Sequence, residues 1–257
     1  MDYAQALILA VVEGLTEFLP VSSTGHLVLT TTLLGIEQTE FVKSFEIIIQ
    51  LGSILAIIFL YWRTLLLNRS VWKTLFVAFL PTAIIGFTVY RIVKDVLLGN
   101  AIVTVIALFL GGIALISIEY FLKKKEGNIS DIQKISPKKA MIIGLAQSLA
   151  MVPGVSRSAA TIIGGTLLGL KRKTAIEFSF LLAVPTMLAA TGYDLLKTSF
   201  SFTPYEYSVL GVGMIGAFIV AILAVKIFLK YIERHNFIAF GIYRIILSLL
   251  FYFFILN

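Results

Sequence analysis

The chain has 257 residues, of which 59% are hydrophobic and 14% charged, with a net charge of +7 and a mean hydropathy of +0.98. Soluble domains run at roughly 45–50% apolar and about 25% charged residues, so a cytosolic enzyme, a disordered chain and a nucleic-acid-binding domain are disfavoured. With no cysteine, disulfides, thiolate metal sites and a cysteine nucleophile are excluded. The composition points to an all-α polytopic membrane protein, read as a single membrane domain over residues 1–257.

In chain order, residues 4–34 come first. They are apolar but broken by the turn Leu19-Pro20-Val21-Ser22-Ser23-Thr24-Gly25. Each half is shorter than the roughly 20 residues that a span needs. The pattern predicts a re-entrant helical hairpin, which is tolerated at membrane depth only where protein or a water-filled cavity surrounds the broken backbone. Met1-Asp2-Tyr3 lacks a basic n-region, so this segment is not read as a cleaved signal peptide. Three spans are predicted next, at about 41–62, 71–90 and 101–122. Lys123-Lys124-Lys125 then reads as a cytoplasmic anchor. Residues 139–169 repeat the hairpin pattern, broken at Val152-Pro153-Gly154-Val155-Ser156-Arg157-Ser158. Three further spans follow at about 175–196, 206–229 and 237–256. The predicted fold is six transmembrane helices plus two re-entrant hairpins.

The two hairpin regions resemble each other. Ala6 aligns with Ala140, Glu13 with Gln147, Ser22 with Ser156, and Leu33-Leu34-Gly35 with Leu167-Leu168-Gly169, with one gap beside each proline. Phe45 through Ala56 likewise matches Phe178 through Ala189. The chain therefore reads as a duplication, repeat 1 at about 1–125 and repeat 2 at about 135–257. An odd number of spans per repeat turns the second copy upside down, giving an inverted-topology repeat. The polar turns of the two hairpins then meet near the midplane.

Charge sets the orientation. One face collects fourteen cations in four connections, around Arg63 to Lys73, Lys123 to Lys139, Lys171 to Lys173, and Lys230 with Arg234. The other face has Lys43, Arg91, Lys94 and Lys197. The positive-inside rule makes the first face cytoplasmic. Both termini and the mouth of the first hairpin then face outward. Arg157 and Arg244 fall within apolar segments and read as embedded.

Charged groups at membrane depth are functional candidates. Glu13 and Glu17 share a helix face at spacing i,i+4. Two close carboxylates either hold a proton between them or share a cation. With Ser22, Ser23 and His26 they offer acid–base groups, hydroxyls and hard-metal ligands in one segment. In the second motif, Gly154 permits a tight turn, and the helix that follows aims free N–H groups at it. Ser156, Ser158 and Thr161 add hydroxyls, and Arg157 adds a planar fork suited to phosphate. The combination reads as an oxyanion site, most naturally for phosphate. Against this stand blander readings: hydroxyls that only pack helices, a satisfied buried histidine, and an arginine in a structural ion pair. These lose ground because the groups recur at matched positions of a repeat. Glu46, Gln50 and Glu177 are read as orienting helices.

At these residues the chain resembles the undecaprenyl-pyrophosphate phosphatase family of bacterial membranes, the family linked to bacitracin resistance. The first motif runs from Glu13-Gly14-Leu15-Thr16-Glu17 through Pro20-Val21-Ser22-Ser23-Thr24-Gly25-His26, and the second from Pro153 through Thr161. Phe45-Glu46, Gln50-Leu51-Gly52, Glu177-Phe178-Ser179 and Tyr243-Arg244-Ile245 also fit. The resemblance covers essentially the whole chain.

It implies hydrolysis of a polyprenyl diphosphate to the monophosphate carrier lipid and inorganic phosphate, for cell-wall synthesis at the bacterial inner membrane. It also implies a divalent cation, Mg2+ or Ca2+, and Glu13 and Glu17 would bind that cation or tune proton transfer. Gly154, Ser156, Arg157, Ser158 and Thr161 would hold the diphosphate, and His26 would be the general acid–base. Ser23 is the first choice of nucleophile and Ser22 the second, with an activated water as the open alternative. The expected partners are the lipid substrate and membrane lipids, with no nucleic acid, and a homodimer stays open. The competing reading is a transporter or flippase for the lipid phosphate, because broken helices in inverted repeats are a common transporter design. A structural scaffold would leave Glu13, Glu17, His26 and Arg157 without a purpose.

Overall fold

The computed structural model describes residues 1–93, 97, 100–122, 127–197 and 202–256. Lys94 and the Lys123–Lys125 anchor lie outside the described residues. Those described are helical almost throughout. The helices are α1 (Tyr3–Thr16), α2 (Ser23–Leu33), α3 (Glu40–Leu60), α4 (Trp62–Leu67), α5 (Arg69–Ile92), α6 (Ala101–Leu122), α7 (Pro137–Ser148), α8 (Arg157–Leu167), α9 (Arg172–Lys197), α10 (Pro204–Ile232) and α11 (Ile238–Phe251).

Five of them, α3, α5, α6, α9 and α10, are long and apolar enough to cross a membrane. They match five of the six predicted spans. The segment expected as the sixth, 237–256, is a 14-residue α-helix continued by a π-helical turn over Tyr252–Leu256. Large apolar side chains point outward from the bundle, Phe87 at 75% and Phe121 at 76% exposure among them. Such a surface suits hydrocarbon and not water.

Local chemistry sets the helix starts. Asp2 and Gln5 form a capping box at α1, and Thr203 and Glu206 form another at α10, with Pro204 in the first turn. Ser136 caps α7 ahead of Pro137. The two predicted breaks are present at the two polar turns. α1 stops before Glu17 and α2 starts at Ser23; α7 stops at Ser148 and α8 starts at Arg157. α2 and α8 have 11 residues each, which is about 16 Å of helix, well short of a bilayer core of about 30 Å.

The broken pairs do not sit only on their own halves. α1 packs on α10 and α3, α7 packs on α5, and α6 packs on α11. Small residues allow this approach. A Cβ on Gly14 would lie 2.8 Å from the Ala217 carbonyl of α10, and one on Gly144 would strike the Ala78 carbonyl of α5. Close backbone contact of this kind is how helices associate where lipid removes the hydrophobic drive. The main core lies between α3, α5, α7, α8, α9 and α10, around Phe178, Phe180 and Leu181.

Candidate active site

Both polar turns end in a serine of unusual backbone. Ser22 (φ 73°) and Ser156 (φ 76°) are the non-glycine residues with positive φ among those described, and they precede α2 and α8. This region is strained for a residue bearing a Cβ, and such strain concentrates at functional sites. Gly154, at φ 92°, completes the second turn. A side chain there would meet the Thr104 carbonyl of α6.

The turns face one another across a polar cavity of about 170 Å3. Its wall includes Glu17, Ser22, Ser23 and Thr24 from the first turn and Pro153, Gly154, Ser156 and Arg157 from the second, with Gln50 from α3. The start of α2 and the start of α8 both border it, so two helix N-termini, whose first N–H groups have no partner within the helix, flank one small space. An apolar cavity of about 430 Å3 between α5, α7 and α9 adjoins it and shares Ala150, Arg157 and Met187.

Within the polar cavity, the Ser23 hydroxyl donates to Glu17 Oε2 at 2.5 Å. The other carboxylate oxygen of Glu17 accepts from Arg157 Nη2 at 3.1 Å. Ser23, Glu17 and Arg157 thus form a continuous chain across the two turns. Arg157 also donates through Nη1 to the Ser179 carbonyl at 2.9 Å, and it lies 5.6 Å from the Phe18 ring centre. Its Nε–H is buried and has no partner among the described residues, so the guanidinium is held in place with a donor to spare. The Ser156 hydroxyl accepts from the Ala159 N–H at 3.1 Å and caps α8.

The remaining candidates lie just behind the cavity wall. Ser158 donates to the Phe18 carbonyl at 2.7 Å, tying the second turn to the first. Thr161 bonds back to the Arg157 carbonyl at 2.9 Å and meets Ser179 Oγ at 2.6 Å, bracing the arginine's helix against α9. His26 has both ring nitrogens occupied. Nδ1 meets the Ser22 carbonyl at 2.8 Å, and Nε2 meets the Tyr243 hydroxyl at 2.6 Å. Neither Ser158, Thr161 nor His26 borders the cavity.

Glu13 is fully buried beside Glu17 and Ser53. Both its carboxylate oxygens, and the Ser53 hydroxyl, have no hydrogen-bond partner among the described residues. Oxygen donors left unsatisfied in the interior fit the ligand preference of a hard divalent cation. Among the described residues no cluster of three or more histidine, aspartate or glutamate side chains forms, so carboxylate ligands would come from Glu13 and Glu17 alone.

Two residues of the site carry little signal in the sequence. Gln50, expected to orient helices, borders the cavity. Tyr243 carried no signal apart from its place in the Tyr243-Arg244-Ile245 match.

The family model "Bacitracin resistance protein BacA" matches residues 6–250. Curated relatives span the same length. A Persephonella marina protein named undecaprenyl-diphosphatase is 53% identical over 256 residues, covering all of both chains. Proteins of the same name from Aquifex aeolicus (51% identical, 96% of each chain) and a Sulfurihydrogenibium species (54% identical, 98% of this chain and 99% of the relative) are similarly alike.

Proposed function

This chain belongs to the BacA bacitracin-resistance family, and on that footing we propose that it hydrolyses undecaprenyl diphosphate to the monophosphate and inorganic phosphate, recycling the carrier lipid of cell-wall synthesis. The observation that carries the reading is the Ser23–Glu17–Arg157 chain bridging the two turns. A carrier or flippase could bind a phosphate with Arg157 alone. It has no use for a serine hydroxyl donating at 2.5 Å to a buried carboxylate.

In this mechanism the terminal phosphate lies between the two helix starts, and Arg157 and the backbone N–H groups hold its oxygens. Glu17 takes the Ser23 proton as Oγ attacks the terminal phosphorus. The phosphorus–oxygen bond of the anhydride breaks, and the lipid leaves as its monophosphate. Arg157 offsets the charge developing in transfer, where positioning and electrostatics supply most of the catalysis. Water then attacks the phosphoserine, releasing inorganic phosphate and returning the proton to Ser23. Direct attack by a water activated by Glu17 is the alternative, and Ser23→Ala separates the two routes. Ser22 and Ser156 shape the two turns. His26, bonded to the Ser22 carbonyl and Tyr243, acts by holding the first turn in place rather than as the acid–base group. A divalent cation, Mg2+ or Ca2+, would be held by Glu13 and Glu17 and would neutralise phosphate charge. The apolar cavity adjoining Arg157 is of the right character for the start of the prenyl tail.

The α1–α2 and α7–α8 pairs are proposed to be re-entrant hairpins of two inverted repeats. Three features support this: the closely similar φ of Ser22 and Ser156, the positive φ of both Gly35 and Gly169, and the packing of each pair on a helix of the other half. The protein is placed in the bacterial inner membrane with the cation-rich loops inside and the site reached from outside. Phosphate release by purified protein in detergent tests the activity, since a flippase would release none. The cysteine-free chain makes orientation simple to test. A single cysteine at position 37 should label from outside and one at 235 only after the membrane is opened; the reverse pattern would overturn the assignment.

A further inference from the structure

Arg244 is fully buried on α11. Among the described residues it has no carboxylate within ion-pair distance. Its guanidinium donates instead to five backbone carbonyls. Nε reaches Leu108 at 3.3 Å; Nη1 reaches Pro20 at 3.2 Å and Val155 at 3.0 Å; Nη2 reaches Ala107 at 3.1 Å and Gly154 at 2.7 Å. Pro20 belongs to the first polar turn, Gly154 and Val155 to the second, and Ala107 and Leu108 to α6. One side chain therefore fastens both turns to a common floor. An apolar residue would fill the volume without the cost of a buried cation.

We propose that Arg244 is a positioning residue that sets the separation of the two turns, and with it the alignment of Ser23 and Glu17 against Arg157. It also orients a donor. In a trans peptide the C=O and N–H point in opposite directions. Holding the Val155 carbonyl therefore turns the Ser156 N–H away from Arg244. That N–H has no acceptor among the described residues, and Ser156 borders the polar cavity. Carbonyls polarised by a guanidinium make better-polarised N–H donors on the same peptide. Tyr243, the preceding residue, holds His26 and so the other side of the first turn. The proposal rests on the hydrolase reading above.

Arg244→Lys keeps the charge but replaces the fork with one ammonium that cannot serve five carbonyls. Phosphate release from undecaprenyl diphosphate in detergent should lose about 10²-fold in kcat, the scale of a misplacement of roughly 1 Å, with KM little changed. Amide hydrogen exchange should quicken at residues 21–23 and 154–156 while α3 and α10 keep their protection. A raised KM with kcat intact would make Arg244 a substrate ligand and overturn the proposal. A lowered melting temperature with unchanged kcat per folded molecule would reduce it to a packing residue and overturn it equally. Should the lysine variant not survive purification, Gly111→Ala takes its place, because a Cβ there runs into the Arg244 guanidinium. The same kcat loss is then expected, and normal turnover would refute the idea. If the unaltered protein released no phosphate, the hydrolase reading would fail, and hydrogen exchange alone would decide whether Arg244 fastens the turns.

Discussion

Replacing Glu17 with glutamine removes one negative charge and leaves the side chain nearly the same shape. In the native site its carboxylate accepts a hydrogen bond from the Ser23 hydroxyl at 2.5 Å and pairs with Arg157 at 3.1 Å. Both partners of the pair are close to fully buried, at 5% and 10% side-chain exposure. A glutamine oxygen still accepts a hydrogen bond but is no base, so the loss of proton transfer should lower kcat by about 10³-fold, within the usual range for general-base removal. Arg157 then holds a charge with no counter-ion. Breaking a buried pair from one side costs about 3 kcal/mol, which should appear as a lower melting temperature in detergent. The freed guanidinium has more to offer the incoming diphosphate, so KM should fall while kcat collapses. Phosphate-release kinetics across substrate concentration, with thermal unfolding of the same preparation, measure all three. A Glu17→Gln protein with normal kcat, or one whose only defect is a raised KM, would refute the assignment of Glu17 as base.

Ser23→Ala should abolish turnover on the covalent route, and activity within about tenfold of normal would transfer the attack to water. Chelation should lower phosphate release and added Mg2+ or Ca2+ restore it, with Glu13→Gln blunting the response; full activity in chelator would remove the cation. Gly14→Ala places a Cβ 2.8 Å from the Ala217 carbonyl. It should destabilise the α1–α10 contact by about 1–3 kcal/mol, read as a drop in detergent melting temperature, and an unchanged midpoint would mean that the helices can part freely.

The sequence told which polar residues the two turns carry and less about how those residues are placed. Pro20 and Pro153, each beside a serine-rich run, broke the apolar pattern at the places where helices end, because proline and glycine act on the backbone locally. Long apolar runs gave α3, α5, α6, α9 and α10 for the same local reason. The end of the chain was less legible: 237–256 reads as one uninterrupted run, yet its α-helix stops at Phe251 and continues as a π-turn. Which hydroxyl borders the cavity could not be read from spacing. Ser156, Ser158 and Thr161 sit within six residues, but Ser158 turns to Phe18 and Thr161 to Ser179. The place of His26 was similarly hidden, since its partner Tyr243 is more than 200 residues away. Arg244 was visible as an embedded cation. That it serves five carbonyls from three elements is a tertiary fact, and no pattern along the chain encodes it.

In the proposed mechanism the two turns cooperate across one polar cavity to cleave a lipid diphosphate. Purified protein and its Arg157→Ala variant, each given undecaprenyl diphosphate in detergent, test this most directly. Steady phosphate release from the first and a loss of several orders of magnitude in the second, with both equally well folded, is the outcome expected. Comparable release from both would mean that the chemistry happens somewhere else.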